Sequence, residues 1–196
     1  MKILAVEDGS FRSQTERFKR GWAYLVGVVV DGFRVDDVLL SYIVVDGLDA
    51  IERLLEMSEG RAEHLDAIML ASVSCGGFNL IDVVKAHNQL NLPVIIANPK
   101  KADMRSVENA VRKHFPDWEK RLTIIQKAGR PHTMKVNTGG VVHFYTQGIR
   151  VKEAQKLISD LTIFGNRPEP LRIARLIAHG LGRVNRGQVS VGSKLR

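Results

Sequence analysis

The chain has 196 residues, 44% of them hydrophobic and 26% charged, and Cys75 is its single cysteine. These values exclude a disordered tract, a collagen-like repeat and a disulfide-stapled miniprotein, and one cysteine allows no intrachain disulfide, four-cysteine zinc site or iron–sulfur cluster. The formal charge of +8 is unevenly placed, with 9 Lys/Arg against 14 Asp/Glu in residues 1–96 and 20 against 7 in residues 97–196. That polarity suits a metal-dependent enzyme working on a polyanion, and it equally suits a protein kept in solution by its lysines and arginines.

In chain order, residues 2–6 form a short apolar run that ends in Glu7-Asp8-Gly9, the pattern of a buried strand closing in a turn. The run is too short for the apolar part of a signal peptide, and the longest one, 23–30, falls far below the roughly 20 residues of a membrane helix. A soluble, cytoplasmic protein in a reducing compartment, without membrane contact, is expected. Residues 22–30 and 35–45 read as two further strands joined at Asp31-Gly32, so the chain starts as an antiparallel meander. Leu48, Ile51, Leu54 and Leu55 recur at helical spacing, with Asp49 near the helix start.

Strands at 66–70 and 93–97 then alternate with helices at 79–90 and 102–115, as a parallel sheet requires. Pro116-Asp117, Gly129-Arg130-Pro131 and Asn137-Thr138-Gly139-Gly140 mark an irregular stretch before a strand at 141–145. Helices follow at 151–161 and 171–179. The whole reads as an α/β chain with one mixed five-stranded sheet, an antiparallel meander followed by parallel βα units, and helices on both faces. Residues 1–180 form a single domain, and 181–196 a basic tail expected to be flexible unless a partner holds it.

Cleaving a phosphodiester with divalent metal needs carboxylates that converge from several strand ends. Glu7 and Asp8 close the first strand, and Asp46 and Asp49 follow the third, so Glu7, Asp8 and Asp46 are the candidate metal ligands and all four the candidate catalytic acids. The alternative is that Asp46-Gly47 is a turn and Asp49 a helix cap. Ser74-Cys75-Gly76-Gly77 falls in a strand-to-helix turn of the sort that displays nucleophiles, yet it lacks the Gly-x-Ser-x-Gly pattern, and Cys75 reads as a packing residue. The glycines make neither a dinucleotide fingerprint nor a phosphate loop, and the histidines make no zinc pair.

Ala5-Val6-Glu7-Asp8-Gly9-Ser10-Phe11, Val45-Asp46-Gly47-Leu48-Asp49-Ala50, Gly77-Phe78-Asn79, His114-Phe115-Pro116-Asp117-Trp118 and Pro168-Glu169-Pro170-Leu171-Arg172-Ile173-Ala174 together resemble an archaeal family, domain of unknown function 99. That family is similar to endonuclease V, whose ribonuclease-H-like fold cuts nucleic acid near deaminated purines with a divalent metal. The resemblance implies that Glu7 stands for the first acid of that group and Asp46 or Asp49 for the second. Its third acid falls at the end of strand four, where this chain has Ala71-Ser72, and neither residue supplies a carboxylate for Mg²⁺ or Mn²⁺. Asn79 and Asp82 lie near enough in sequence to substitute. The basic residue after strand five corresponds to Lys100 or Lys101, which with Arg105, Arg112, Lys113 and the C-terminal arginines would form a cationic rim for nucleic acid. The expected protein is therefore an endonuclease-V-like, nucleic-acid-interacting one with a degenerate site for Mg or Mn. The alternatives are an active Mg- or Mn-dependent nuclease and a non-catalytic interaction or regulatory module.

Overall fold

The computed structural model describes residues 1–9 and 21–184. Strand β1 (Lys2–Asp8) is apolar on both faces because layers of helices cover both. β2 (Trp22–Asp31) runs antiparallel to it, and β3 (Arg34–Val44) antiparallel to β2, with Asp31 opposite Arg34 across the Gly32-Phe33 loop. Gly32 takes φ +61° there, a conformation that only glycine adopts without steric cost.

Helix α1 (Ala50–Ser58) buries Ala50, Ile51, Leu54 and Met57 against the sheet and crosses over to β4 (Ala67–Leu70), which lies parallel to β1 with Leu70 opposite Val6. A two-rung hairpin of β5 (Ser74–Cys75) and β6 (Asn79–Leu80) follows, then α2 (Val83–Leu90) and β7 (Val94–Asn98), parallel to β4. Next come α3 (Met104–His114), α4 (Trp118–Lys127), the antiparallel pair β8 (His132–Lys135) and β9 (Val141–Gln147), α5 (Val151–Asp160) and α6 (Glu169–Val184).

The main sheet has the order β3-β2-β1-β4-β7-β9-β8. The first five expected strands hold their places, the strand expected at 141–145 is β9, and it widens the sheet by antiparallel pairing on β7, with unforeseen β8 pairing on β9 to make seven. One face packs Leu4, Val6, Ile68 and Leu70 under α1 and α2, and the other packs Ile3, Ala5, Met69 and Ile95 under α5 and α6. Among the described residues no helix is long and apolar enough to cross a membrane.

Three expectations are corrected. The helix read from 79 starts at Val83, because Asn79 and Leu80 pair with β5 and Asp82 caps the helix by accepting the N–H groups of Val84 and Lys85. The stretch after Pro116 is irregular only at its edges, since α4 occupies most of it and β8 follows. The last helix runs beyond His179 to Val184, so the supposed tail begins in helix, and residues 185–196 lie outside the described residues.

Candidate active site

The end of β1 is built for a close approach of α6. A Cβ on Gly9 would meet the carbonyl oxygen of Ala178 at 2.8 Å, so only glycine lets the helix backbone sit against the strand end. α6 thereby brings Arg175 and His179 into the field of Glu7 and Asp8. Glu7 is buried on the α5/α6 side, where Oε2 accepts a hydrogen bond from the guanidinium of Arg167 at 2.9 Å. Burial pushes its carboxyl up to about 7, against the pull of Arg167 and Arg175 and with help from neighbouring Asp8. Asp8 is also raised by burial, although it accepts the Gly76 N–H at 2.7 Å. The two carboxyls interact directly, so the proton held near neutrality belongs to the pair. His179 is held below its ordinary range by burial and by the charge of Arg175.

The other two candidate acids serve loops. Asp46 sits at φ +58°, its Oδ1 accepts the Phe78 N–H at 2.9 Å, and its own N–H reaches the Gly76 carbonyl at 2.9 Å. Asp49 precedes α1 without capping it by its side chain; its Oδ1 accepts the Val44 N–H at 3.2 Å and the Asn79 amide at 2.5 Å. Fully buried Asn79 also donates to the Val44 carbonyl and accepts the Ala50 N–H. Gly76 thus stands between the two groups of acids, its N–H turned to Asp8 and its carbonyl to Asp46. Among the described residues no set of three or more histidine, cysteine, aspartate or glutamate side chains gathers as a metal site.

Arg121 of α4, which the sequence does not mark as functional, holds this region together. It is 3% exposed and donates to the carbonyls of Asp46, Gly47 and Phe78 at 3.0, 3.1 and 2.6 Å, pairs with Asp117, and lies over the Phe115 ring. Nothing in local sequence singles out an arginine as the partner of a turn more than seventy residues earlier.

Ala71 continues β4 beside Glu7's strand, its N–H donated to the Val6 carbonyl and its own carbonyl accepting the Asn98 amide. It lines a cleft of about 340 Å³ with Ser72, Phe78, Asn98, Lys100 and Tyr145. Lys100, Lys101 and Arg105 are exposed around the start of α3. Asp82 caps α2 and is paired with Lys127 at 2.7 Å. Cys75 is buried and its thiol pushed well up, chiefly by burial and then by the charges of Asp8 and Glu7, the opposite of an activated nucleophile. A second cleft of about 480 Å³ lies along α6 and carries Arg167, Arg172, Arg175, His179 and Arg183.

The comparisons with known proteins agree with this architecture. A UPF0215 protein of Thermococcus gammatolerans is 38% identical over 180 residues, 91% of this chain and 90% of its own. The crystal structure of a protein of unknown function from Archaeoglobus fulgidus superposes with a TM-score of 0.78 at 31% identity, over 92% of this chain and 97% of that one. Endonuclease V of Ciona intestinalis, in complex with a 24mer DNA containing an inosine followed by a ribo-adenosine, superposes with a TM-score of 0.58 over 94% of this chain and 86% of that one. At 9% identity this last likeness is one of fold, and it places the chain on the ribonuclease-H-like plan. Residues 1–182 match the family model described as endonuclease dU, and the chain belongs to that family.

Proposed function

We propose that this chain is an endonuclease for nucleic acid carrying a deaminated base, deoxyuridine being the one its family is named for, with Glu7 and Asp8 as its reacting carboxyls. The observation that carries the reading is the Glu7–Asp8 pair itself, a buried and a half-buried carboxyl at the end of β1 whose proton is held near neutrality beside a guanidinium. A carboxyl at about 7 exchanges a proton at working pH, which is what removing a proton from water or returning one to a leaving oxygen requires. Arg167 holds Glu7 in place and, with Arg175, puts positive charge where a phosphate gains negative charge.

Two adjacent carboxylates that resist ionising together gain from a divalent cation; with Mg²⁺ or Mn²⁺ bound, Glu7 and Asp8 would be its deprotonated ligands and proton exchange would pass to water, while Oδ1 of Asp46 and of Asp49 is engaged by the Phe78 N–H and by Asn79. Bound there, the cation would supply charge that lowers the proton affinity of water and steadies the phosphate. A second reading, a protein that binds such strands without cutting them, is favoured by Ala71, which puts a methyl where a third carboxylate is needed.

The test is nicking of duplexes with a single deoxyuridine or inosine, in Mg²⁺ or Mn²⁺, by the wild type and by Glu7→Gln and Asp8→Asn. The expected result is wild-type cleavage reduced at least about 100-fold in each variant. Binding without nicking favours the second reading, and cleavage that survives both substitutions removes the carboxyl pair from the chemistry.

A further inference from the structure

We propose that the arginine-lined cleft along α6 is the seat of the nucleic-acid backbone, with Arg175 and Arg183 as its principal phosphate-binding residues. This rests on the proposed function in one respect, that the ligand is a nucleic-acid strand.

α6 turns Leu171, Ala174 and Ala178 into the sheet and leaves Arg172, Arg175, His179 and Arg183 on another face. The spacing of three, four and four residues stacks these side chains along one stripe. From Arg172 to Arg183 the stripe is about 16 Å long at 1.5 Å per residue. The stripe is long enough to meet more than one phosphate of a strand laid along it. The arginines are not equally available. Arg167 is held by Glu7 and Arg172 by Glu169 through its Nε and Nη2 donors, whereas among the described residues no carboxylate stands within ion-pairing distance of Arg175 or Arg183. Arg175 is exposed, as is Arg183. Two guanidinium groups that form no ion pair with a described carboxylate repel each other and attract a polyanion, and planar guanidinium matches phosphate oxygens in pairs.

The cleft also has the right address. Arg167 is shared between it and Glu7, and Arg175 lies close enough to lower the proton affinity of Glu7, so a strand lying on α6 runs past the carboxyl pair. Exposed Phe164 and Leu176 flank the arginines and give sugar and base edges an apolar surface to rest on.

The experiment is salt-dependent binding of a fluorescent 20-nucleotide strand and its duplex by the wild type, by Arg175→Ala with Arg183→Ala, and by Lys100→Ala with Lys101→Ala, each checked for folding by circular dichroism. The expected result is that the arginine pair weakens binding by at least about tenfold and flattens the salt slope by about two, one for each phosphate left without its guanidinium. The lysine pair then changes little. Unchanged slope in the arginine pair, or a weakening confined to the lysine pair, overturns the cleft assignment while leaving the proposed function intact. Displacement of the strand by inorganic phosphate at equal phosphate concentration also overturns it, since the cleft would then be a single-anion pocket. A wild type that binds no strand at any salt overturns both readings.

Discussion

Replacing Glu7 by glutamine should remove Glu7's share of the pH dependence of stability that the carboxyl pair gives the wild type, leaving that of Asp8. In the unfolded chain this carboxyl titrates near its ordinary value of 4.5, and in the folded protein burial raises it to about 7. Below 4.5 both states hold the proton and the group has no effect on stability. Between 4.5 and 7 the unfolded state releases its proton while the folded state keeps it, so stability falls with rising pH by up to about 1.4 kcal/mol per pH unit. Above 7 the loss is complete, roughly 3 kcal/mol in all. Glutamine keeps the shape and titrates nowhere, so the difference in unfolding free energy between variant and wild type should move in the variant's favour by that amount. Urea unfolding of both proteins at pH 4.5, 6 and 7.5, without divalent cations, measures it. Parallel curves for the two proteins would refute the claim that burial, rather than the Arg167 pairing, governs the ionisation of Glu7.

Other outcomes follow from the loops around the pair. Arg121→Ala leaves three half-buried carbonyls without their donor and should destabilise the protein by about 3–5 kcal/mol, read from the urea midpoint. Gly77 sits at φ +83°, where a Cβ would collide with Oδ1 of Asp46, so Gly77→Ala should cost more than about 1 kcal/mol and expose the Phe78 N–H to exchange. Asp82 is held below the usual carboxylate range, the burial that opposes this being outweighed by Lys127 and the two helix N–H groups. Its stabilisation is present at neutral pH and lost as pH falls through the acid range, and Asp82→Ala should cost about 1 kcal/mol at pH 7 and less at pH 3. Ala71→Asp adds a carboxylate beside the strand of Glu7 and should confer tighter Mn²⁺ binding in calorimetry; no change would show that position 71 cannot reach the pair.

Much of the fold was legible because its signals are local. The apolar runs of β1, β2 and β7 are buried on both faces, and Asp31-Gly32 marks the hairpin between β2 and β3. α4 escaped notice because its only buried residues are Arg121 and Leu122, which leave no apolar stripe to read. β8 alternates half-buried and exposed residues with a histidine and a lysine at its ends, so it resembles a loop until β9 is beside it. Asn79 and Leu80 fit a helix by composition, and only pairing with Ser74 and Cys75 makes them a strand. In the site, Glu7 and Asp8 were visible as acids at a strand end. Arg167, 160 residues away from Glu7, was not, since an ion pair across the chain leaves no trace in either neighbourhood. Asp46 and Asp49 look like ligands in sequence because the same carboxylate that binds a cation also accepts backbone N–H groups, and in the structure both accept such groups.

The buried guanidinium of Arg121 has a further consequence for how the molecule is made. Its donors reach carbonyls 43, 74 and 75 residues earlier in the chain. The turn at Asp46 and the loop at Phe78 therefore lack their shared anchor until α4 has emerged and docked, and contacts of such long range close late. During synthesis the meander and the first βα unit are complete well before this tie exists. A nascent chain stalled before residue 117 should leave open to proteolysis its Asp46 and Phe78 loops and the sheet face that α5 and α6 later cover, the centre of the molecule becoming rigid only as its second half arrives.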